Sequence, residues 1–254
     1  MIDLHNHIIP GVDDGPSSEN EMLSLLEQAK QEGVTGIIVT PHHLHPKYNN
    51  PIDKVEEHIH RIKNNKAIQE LNIDFYIGQE IRISDEILKG IDEGNIKGIN
   101  HSKYLLIEFP SNEIPQYTEK LFYELQIRGY IPVIAHPERN KMISKDLSKL
   151  YDLVNKGALS QLTASSLTGN SGKKVKNLAL QILDNNLAHF IGSDAHNVGT
   201  RPFILKSLIN NKKLKKYQED IEICFRNSVS IVENKKIIKQ MPTEVKNKKK
   251  WFKL

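Results

Sequence analysis

The chain has 254 residues, 38% of them hydrophobic, a formal net charge of +4 and a single cysteine. This composition describes a globular protein, and one cysteine excludes internal disulfides and thiolate metal clusters and suits a reducing compartment. The charge is uneven, because residues 235–254 hold eight lysines and one acid, which leaves residues 1–234 at −3. A slightly acidic body argues against nucleic acid as a partner.

The predicted elements occur in a regular order along the chain. Ser18 and Glu21 form a capping box before the first helix, and Gly33 ends that helix. Short apolar runs predict seven strands, at residues 2–4, 36–40, 75–78, 104–109, 131–135, 159–163 and 189–192. Helical patterns follow them at about 21–32, 52–71, 85–91, 116–128, 145–156, 173–185, 203–211 and 216–227. Buried strands alternating with helices are typical of a parallel sheet, so we predict an α/β fold closed as a (β/α)₇ barrel.

The organisation of the chain predicts one barrel domain over residues 1–234 and a lysine-rich tail over 235–254. No apolar run approaches the roughly 18 residues of a membrane span, and the first residues, MIDLHNH, lack the features of a signal peptide. We therefore expect a cytoplasmic protein. The tail, which ends in KNKKKWFKL, is either a solvated terminus or a basic-aromatic segment that contacts an anionic membrane surface. One Trp and one Phe make a short apolar face, which favours the first interpretation.

Histidine and acidic residues recur where the predicted strands end, which is the edge on which α/β barrels build active sites. Each alone suits a loop hydrogen bond or a helix cap, but nine on one rim predict a metal centre: His5, His7, Asp14, His42, Glu80, Glu108, His136, Asp194 and His196. Zinc takes about four ligands and octahedral ions about six, so nine ligands suit two or three ions. The oxygen-rich set favours Mn²⁺ or Fe over Zn²⁺.

Two arginines, Arg139 and Arg201, follow ligand candidates within five positions. Guanidinium groups bind phosphate oxygens in pairs, and three divalent ions would outweigh the four carboxylates and attract a phosphate dianion. The sequence therefore predicts metal-assisted hydrolysis of a phosphate monoester. A cysteine-based phosphatase is excluded, because it needs an arginine six residues after its cysteine, and Ser230 stands six after Cys224.

Six segments, MIDLHNHIIPGVDDGP, TPHH, GQEIR, IEFP, AHPERN and GSDAH, resemble the PHP (polymerase and histidinol phosphatase) superfamily. Within it the chain resembles the manganese-dependent bacterial protein-tyrosine phosphatases of the capsule-locus CpsB/CapC group, and its end resembles staphylococcal members. The resemblance implies a PHP-type (β/α)₇ barrel with three metal ions. It also implies as substrate the C-terminal tyrosine cluster of a membrane-associated tyrosine autokinase that regulates capsular polysaccharide synthesis.

The resemblance further implies a division of the ligands. One ion takes His5, His7, Glu80 and Asp194; a second shares Glu80 and takes Glu108 and His136; the third takes Asp14, His42 and His196. Arg139 and Arg201 orient the phosphate.

Three other functions stay open at this point. The first is a PHP phosphoesterase for a small phosphomonoester such as histidinol phosphate, whereas the acidic body argues against an exonuclease of the same superfamily. The second is a barrel amidohydrolase, which usually has a carbamylated lysine where this chain has Glu108. The third is a metal-stabilised binding module without catalysis.

Overall fold

The computed structural model describes residues 1–244, so residues 245–254 of the predicted tail lie outside the described residues. The described chain contains nine strands: β1 (Ile2–Asp3), β2 (Gly36–Val39), β3 (His42–His43), β4 (Asp74–Ile77), β5 (Glu80–Arg82), β6 (Tyr104–Glu108), β7 (Ile131–Ala135), β8 (Leu159–Thr163) and β9 (Phe190–Gly192). Its α-helices are α1 (Glu19–Gln31), α2 (Ile52–Asn64), α3 (Lys66–Gln69), α4 (Glu86–Asp92), α5 (Thr118–Ile127), α6 (Lys141–Lys145), α7 (Ser148–Asn155), α8 (Ala164–Thr168), α9 (Lys173–Asp184), α10 (Lys206–Ile209) and α11 (Gln218–Val232). Short 3₁₀ segments occupy Ile99–His101, Pro137–Arg139 and Lys212–Tyr217.

The strand pairings are all parallel and follow the chain. One sheet has the order β1-β2-β4 and the other β3-β5-β6-β7-β8-β9. β3 lies just beyond β2, and β5 just beyond β4, so the nine segments make the seven predicted strands. The first strand also meets the last, because the His7 amide donates to the Ala195 carbonyl at 2.8 Å and the Asp194 amide donates to the His5 carbonyl at 2.7 Å. The predicted α/β class with parallel strands is confirmed.

One predicted helix is interrupted and another begins later than predicted, and polar side chains explain both differences. The helix predicted over 52–71 divides at Asn65, whose side chain accepts hydrogen bonds from the amides of Ala67 and Ile68 and so caps α3. The helix predicted over 145–156 corresponds to α7, which begins at Ser148, where the Ser148 hydroxyl donates to the Asp146 carboxylate. Asn, Asp and Ser compete with helical hydrogen bonds in this way, and hydrophobic periodicity does not register it.

Alternation along the strands decides which side chains reach the interior of the ring. In β6, Tyr104 and Leu106 belong to the inner apolar cluster, whereas Leu105 and Ile107 pack in the outer layer beneath the helices. Because the side-chain period is two, the next inward position is Glu108. The same alternation in β8 continues from Leu159 to the buried Gln161 and Thr163. The strands thus present apolar residues inside at their N-terminal ends and polar residues at their C-terminal ends.

The N-terminal end of the ring is closed by α11, whose Ile231 joins the inner cluster with Ile2 and Phe190. Residues 235–243 then continue along the body: the Asn227 side chain accepts from the Ile238 amide at 2.7 Å, and the Thr243 amide donates to the Asn185 carbonyl at 2.9 Å. None of the described helices combines the length and apolar character needed to cross a membrane. The open end of the ring is therefore the C-terminal one, where the ligand candidates lie.

Candidate metal centre

The structure places all nine ligand candidates at the C-terminal ends of the strands. His5 and His7 follow β1, Asp14 precedes α1, His42 lies in β3, Glu80 in β5, Glu108 ends β6, His136 follows β7, and Asp194 and His196 follow β9. Asp14 is 42% exposed and Glu108 and His136 less than 15%, while the other six side chains are at most 9% exposed. This edge of the ring therefore holds a deep cluster of imidazoles and carboxylates.

Their donor atoms converge. Three groups have nitrogen or oxygen atoms within 4.8 Å of one another: His7, Asp14, His42 and His196; His5, His7 and Glu80; and His42, Glu80 and Glu108. The other two candidates join by pairs, since His136 Nε2 lies 2.8 Å from Glu80 Oε1 and Asp194 Oδ1 lies 3.5 Å from His5 Nε2. The structure thus brings together all nine, and their role as ligands stays a prediction.

The hydrogen bonding of these atoms tests whether the cluster fits divalent cations. Four buried donor atoms take part in no hydrogen bond with the described residues: His42 Nδ1, Glu108 Oε2, Asp194 Oδ1 and His196 Nε2. Yet they have close neighbours, for example Glu80 Oε2 at 2.9 Å from His42 Nδ1. Close approach without hydrogen-bond alignment is expected when donor atoms point at a shared centre rather than at each other, and a bound ion or water at that centre would satisfy such buried polar atoms. The residues fit a metal centre.

Two further side chains orient the histidines from behind. Asp13 Oδ2 lies 2.7 Å from His7 Nδ1 and accepts the backbone amide of His42 at 3.2 Å. Gln161 Oε1 lies 2.8 Å from His5 Nδ1. Partners of this kind fix the tautomer and orientation of a metal-binding imidazole. Neither role was predicted from the sequence, although Gln161 stands out there as a polar residue inside the apolar strand LSQLT.

Backbone strain coincides with two of the candidates. His136 has φ 30° and Asp194 has φ 54°, in the left-handed region that non-glycine residues rarely occupy. His136 directly follows β7 and Asp194 lies two residues beyond β9, so the turn at each strand end directs the side chain toward the cluster. Such strain concentrates at functional sites, where the surrounding fold enforces it.

Three arginines border the cluster. Arg139 and Arg201 both donate to Asp194 Oδ2, Arg201 from Nη2 at 2.7 Å. Arg201 Nη1 also donates to Asp14 Oδ2 at 3.3 Å. The third, Arg82, was not predicted: its Nη2 lies 3.1 Å from Glu108 Oε2. The motif GQEIR contains Arg82, but nothing in the sequence shows that the end of β5 faces the end of β6.

The charges in the cluster are strongly coupled. Burial alone would raise the pKa of Glu80, but His5 and His42 outweigh it and hold that pKa well below the usual range. Burial alone would lower the pKa of His42, but Glu80 and Asp14 outweigh it and raise the pKa to about 9. Without metal, His42 is therefore protonated at neutral pH, and a cation must displace that proton.

A cavity of about 260 Å³ opens above the cluster. Its titratable lining residues at the cluster are Asp14, His42, Glu80, Glu108, His136, Arg139 and Arg201, and the remaining lining residues are His45, Phe109, Ser111, Ala135 and Asn140. Cys224 does not line this cavity. It is buried in α11, and this burial raises the pKa of its thiol. The predicted exclusion of a cysteine nucleophile agrees with this placement.

A parallel α/β ring with a multi-histidine, multi-carboxylate centre at its C-terminal edge defines a metalloprotein with a candidate active site. A sequence profile of the CpsB/CapC family, described as capsular polysaccharide synthesis, matches residues 1–233. The chain belongs to the CpsB/CapC family, as the sequence motifs predicted.

Individual relatives agree with this membership. The chain is 56% identical over 252 residues to CapC of Staphylococcus aureus, with 99% of each chain covered. It is 39% identical over 249 residues to the tyrosine-protein phosphatase YwqE of Bacillus subtilis, with 98% of each chain covered. A crystal structure from work on YwqE of B. subtilis and CpsB of Streptococcus pneumoniae, described as unique metal-dependent tyrosine phosphatases, superposes with a TM-score of 0.91 at 40% identity. The superposition covers 97% of this chain and all of the other.

Proposed function

We propose that the protein is a metal-dependent protein-tyrosine phosphatase that acts in capsular polysaccharide synthesis. One observation carries the proposal: Asp194 turns Oδ1 toward the imidazoles of His5 and His7, while Oδ2 accepts from Arg139 and Arg201. One oxygen of this carboxylate therefore faces two candidate metal ligands, and the other faces the two arginines proposed to bind phosphate. The names of YwqE and CpsB support the same activity.

The nine candidates are proposed to hold three divalent ions, with Mn²⁺ as the first choice and Fe or Zn²⁺ as alternatives. The three convergent groups of donor atoms support this number. His7, His42 and Glu80 each belong to two of the groups, so neighbouring groups share donor residues. When bound, such ions supply Lewis acidity toward phosphate oxygens and lower the pKa of coordinated water.

Arg139 and Arg201 are proposed to bind the phosphate oxygens. Arg139 Nη2 lies 3.3 Å from both Thr163 Oγ1 and Ser165 Oγ, which hold the guanidinium at the cavity wall. The Arg139 side chain is 29% exposed and that of Arg201 is 37% exposed, so both keep accessible surface toward a ligand. Each arginine then does two things: it fixes Asp194 and presents N–H donors to the dianion.

The proposed substrate is the phosphorylated C-terminal tyrosine cluster of a membrane-associated bacterial tyrosine kinase. The proposed location is the cytoplasm, and the proposed domain is residues 1–234 with a tail from 235 onward. The described residues 235–243 contact the body, so any independent role of the tail belongs to the residues after them.

The proposal is tested with a hydrolysis panel of a phosphotyrosine peptide, a phosphoserine peptide and histidinol phosphate. Each is assayed with purified protein, with chelator, and with Mn²⁺ added back. We expect the phosphotyrosine peptide to have the highest kcat/KM, and we expect chelator to abolish and Mn²⁺ to restore turnover. A preference for histidinol phosphate would replace the tyrosine assignment with a small-molecule phosphatase. Bound metal without turnover of any of the three would indicate a binding module.

The arginine role has its own test. Arg139→Ala is expected to raise KM for the phosphotyrosine peptide by about tenfold or more, because a charge-assisted pair of hydrogen bonds to phosphate is lost. Its Mn²⁺ content, measured by elemental analysis at saturating Mn²⁺, is expected to change less than KM does, although Arg139 also contacts Asp194. Arg128→Ala is the matched control, because Arg128 is also ion-paired, with Asp92, but lies outside the cavity. Unchanged kinetics in Arg139→Ala would remove this residue from phosphate binding.

A further inference from the structure

The cavity at the candidate metal centre has a chemically mixed lining. It combines the charged groups of the cluster with His45, Phe109 and Ala135. The volume of about 260 Å³ is below the roughly 300–1,000 Å³ typical of pockets for drug-sized ligands. The cavity therefore suits one phosphorylated side chain, with an anionic end and a less polar end.

His45 is held rigidly in a tight turn. Its amide donates to the Tyr48 carbonyl at 3.0 Å, and the Tyr48 amide donates back to the His45 carbonyl at 3.1 Å. The amide of Lys47 donates to His45 Nδ1 at 3.3 Å. These bonds fix both the backbone and the rotation of the ring, so a ligand that touches the ring meets a preorganised surface.

The His45 ring is also part of an aromatic stack. Its centroid lies 4.8 Å from that of His42, with 22° between the planes, and 5.2 Å from that of Tyr48, with 17° between the planes. His42 and Tyr48 are themselves 5.9 Å apart and 6° from parallel. The three near-parallel rings thus pack against one another, and two of them, His42 and His45, line the cavity.

Phe109 adds a second aromatic group to the same cavity. It is 5% exposed and stacks on Phe122, with the ring centroids 6.1 Å apart. Phe109 directly follows Glu108, so its backbone is anchored at the end of β6. Aromatic rings prefer offset-stacked or edge-to-face neighbours, and such pairs add affinity beyond the area they bury.

We infer that His45 is a specificity-determining residue that stacks on the phenyl ring of phosphotyrosine, with Tyr48 bracing it and Phe109 as the second aromatic contact. This inference rests on the proposed function, because it places the phosphate at the metal centre. An alkyl phosphomonoester reaches the same metals and arginines but has no flat ring to stack. The stack therefore favours aryl over alkyl phosphates by binding, separately from the reactivity of the leaving group.

The test measures binding of two stable probes, phenylphosphonate and methylphosphonate, to the Mn²⁺-loaded full chain by calorimetry. Neither probe is hydrolysed, so the ratio of their Kd values reports the ring alone. The variants are His45→Ala, His45→Leu and His45→Phe, and Lys47→Ala is the matched control in the same turn. Elemental analysis and circular dichroism verify metal content and fold in each variant.

We expect wild type to prefer phenylphosphonate, and we expect the preference to shrink about tenfold in His45→Ala and His45→Leu, which is the loss of one aromatic stack. His45→Phe and Lys47→Ala are expected to keep it. If His45→Ala loses metal, the comparison of His45→Phe with His45→Leu decides, because both are bulky and only one is aromatic. A preference equal in Leu and Phe variants would overturn the inference.

Different results would contradict the specificity role of His45 and the proposed phosphatase function. If wild type hydrolyses the phosphotyrosine peptide but the preference does not depend on His45, the specificity role alone is wrong. If wild type hydrolyses no phosphomonoester, the proposed function is wrong whatever the probes show.

Discussion

Asp194 has the most demanding position in the site, because its two oxygens face different partners. Oδ1 lies 3.5 Å from both His5 Nε2 and His7 Nε2, and Oδ2 accepts from two arginines. Burial alone would raise the pKa of this carboxyl, but Arg139 and His5 outweigh it and hold the pKa well below the usual range. The same partners that orient the two oxygens of Asp194 therefore favour its ionised form.

Substituting Asp194 separates metal binding from folding. In Asp194→Asn we expect turnover of the phosphotyrosine peptide to fall at least about a hundredfold, because an anionic metal ligand becomes a neutral one. The fold should survive, since Asn has the same shape and the site lies at the rim of the ring. Activity and bound metal are measured together with far-ultraviolet circular dichroism. Wild-type turnover by a metal-loaded variant would show that the site has been assigned incorrectly.

Arg82 contacts the candidate metal ligand Glu108 but is not itself a candidate ligand. Burial and the nearby Glu80 raise the pKa of Glu108, while His136 and Arg82 lower it. With Arg82 removed, the pKa of Glu108 rises further, and a proton then competes more strongly with a cation at Glu108. Arg82 is thus a positioning residue whose effect is carried by Glu108.

The variant Arg82→Gln is expected to weaken Mn²⁺ affinity about 10- to 100-fold, as outer partners of metal ligands commonly do. The acid limb of the pH–activity profile should move to higher pH, because more Glu108 is protonated at any given pH. Lys97→Gln is the matched control, since Lys97 pairs with Glu56 on the surface at 3.1 Å. An unshifted acid limb in Arg82→Gln would mean that Arg82 has only a packing role.

At the scale of elements, the loop between β1 and α1 has little freedom. A Cβ atom on Gly15 would lie 2.3 Å from the His7 carbonyl oxygen, so only glycine allows this approach of backbone to backbone. The Gly15 amide also donates to Asp13 Oδ1 at 3.0 Å. The loop is therefore packed closely against the backbone of His7, and Asp14 directly precedes Gly15 in this loop.

Gly15→Ala is expected to displace Asp14 and to lower the number of Mn²⁺ ions bound per chain, with a matching loss of activity. The backbone oxygen of His7 cannot move aside without shifting β1. Gly199→Ala serves as control in another rim loop, because its Cβ would meet nothing closer than 3.6 Å. Elemental analysis of the two variants gives the comparison, and full metal content in Gly15→Ala would contradict the role of the loop.

At the scale of the whole molecule, His189 couples stability to pH. It is 3% exposed next to β9, and its Nδ1 accepts the Ser160 amide at 3.2 Å. Burial, with a smaller contribution from Lys239, lowers its pKa from 6.5 to about 4. Well above pH 6.5 the ring is neutral in both the folded and the unfolded chain, so its titration does not change the free energy of unfolding. Between pH 6.5 and 4 the unfolded chain takes up the proton first, so stability falls as the pH falls.

This shift corresponds to about 3 kcal/mol lost between pH 6.5 and pH 4. His189→Asn keeps an acceptor for the Ser160 amide but cannot titrate, so we expect its free energy of unfolding to fall less steeply over that interval. Denaturant unfolding of wild type and variant at several pH values measures the difference. His60→Asn, which changes an exposed histidine, is the control. Parallel pH profiles for wild type and His189→Asn would refute the linkage.

Much of the site was predictable because its residue types carry information locally. All candidate ligands except Asp14 lie in a strand or within four residues of its end, and the side-chain period of two already points Glu108 inward from an apolar strand. The helix break at Asn65 and the later start of α7 at Ser148 were missed because a side chain that caps a helix leaves the apolar periodicity intact. Gln161 was missed as an orienting group, because its partner His5 is 156 positions away.

By itself, the sequence determined the α/β class, the family and the set of nine candidate ligands, since these depend on periodicity and on short motifs. The tertiary structure alone decided how they meet: which oxygen of Asp194 faces the imidazoles, that Arg82 reaches Glu108, and that His45 packs against both His42 and Tyr48 beside the cavity. These contacts join side chains from different strands and turns, and their geometry depends on strand register and on rotamers fixed by packing. The local charge of the site also depends on tertiary structure, because the net charge of +4 does not describe a site in which four carboxylates and three arginines converge.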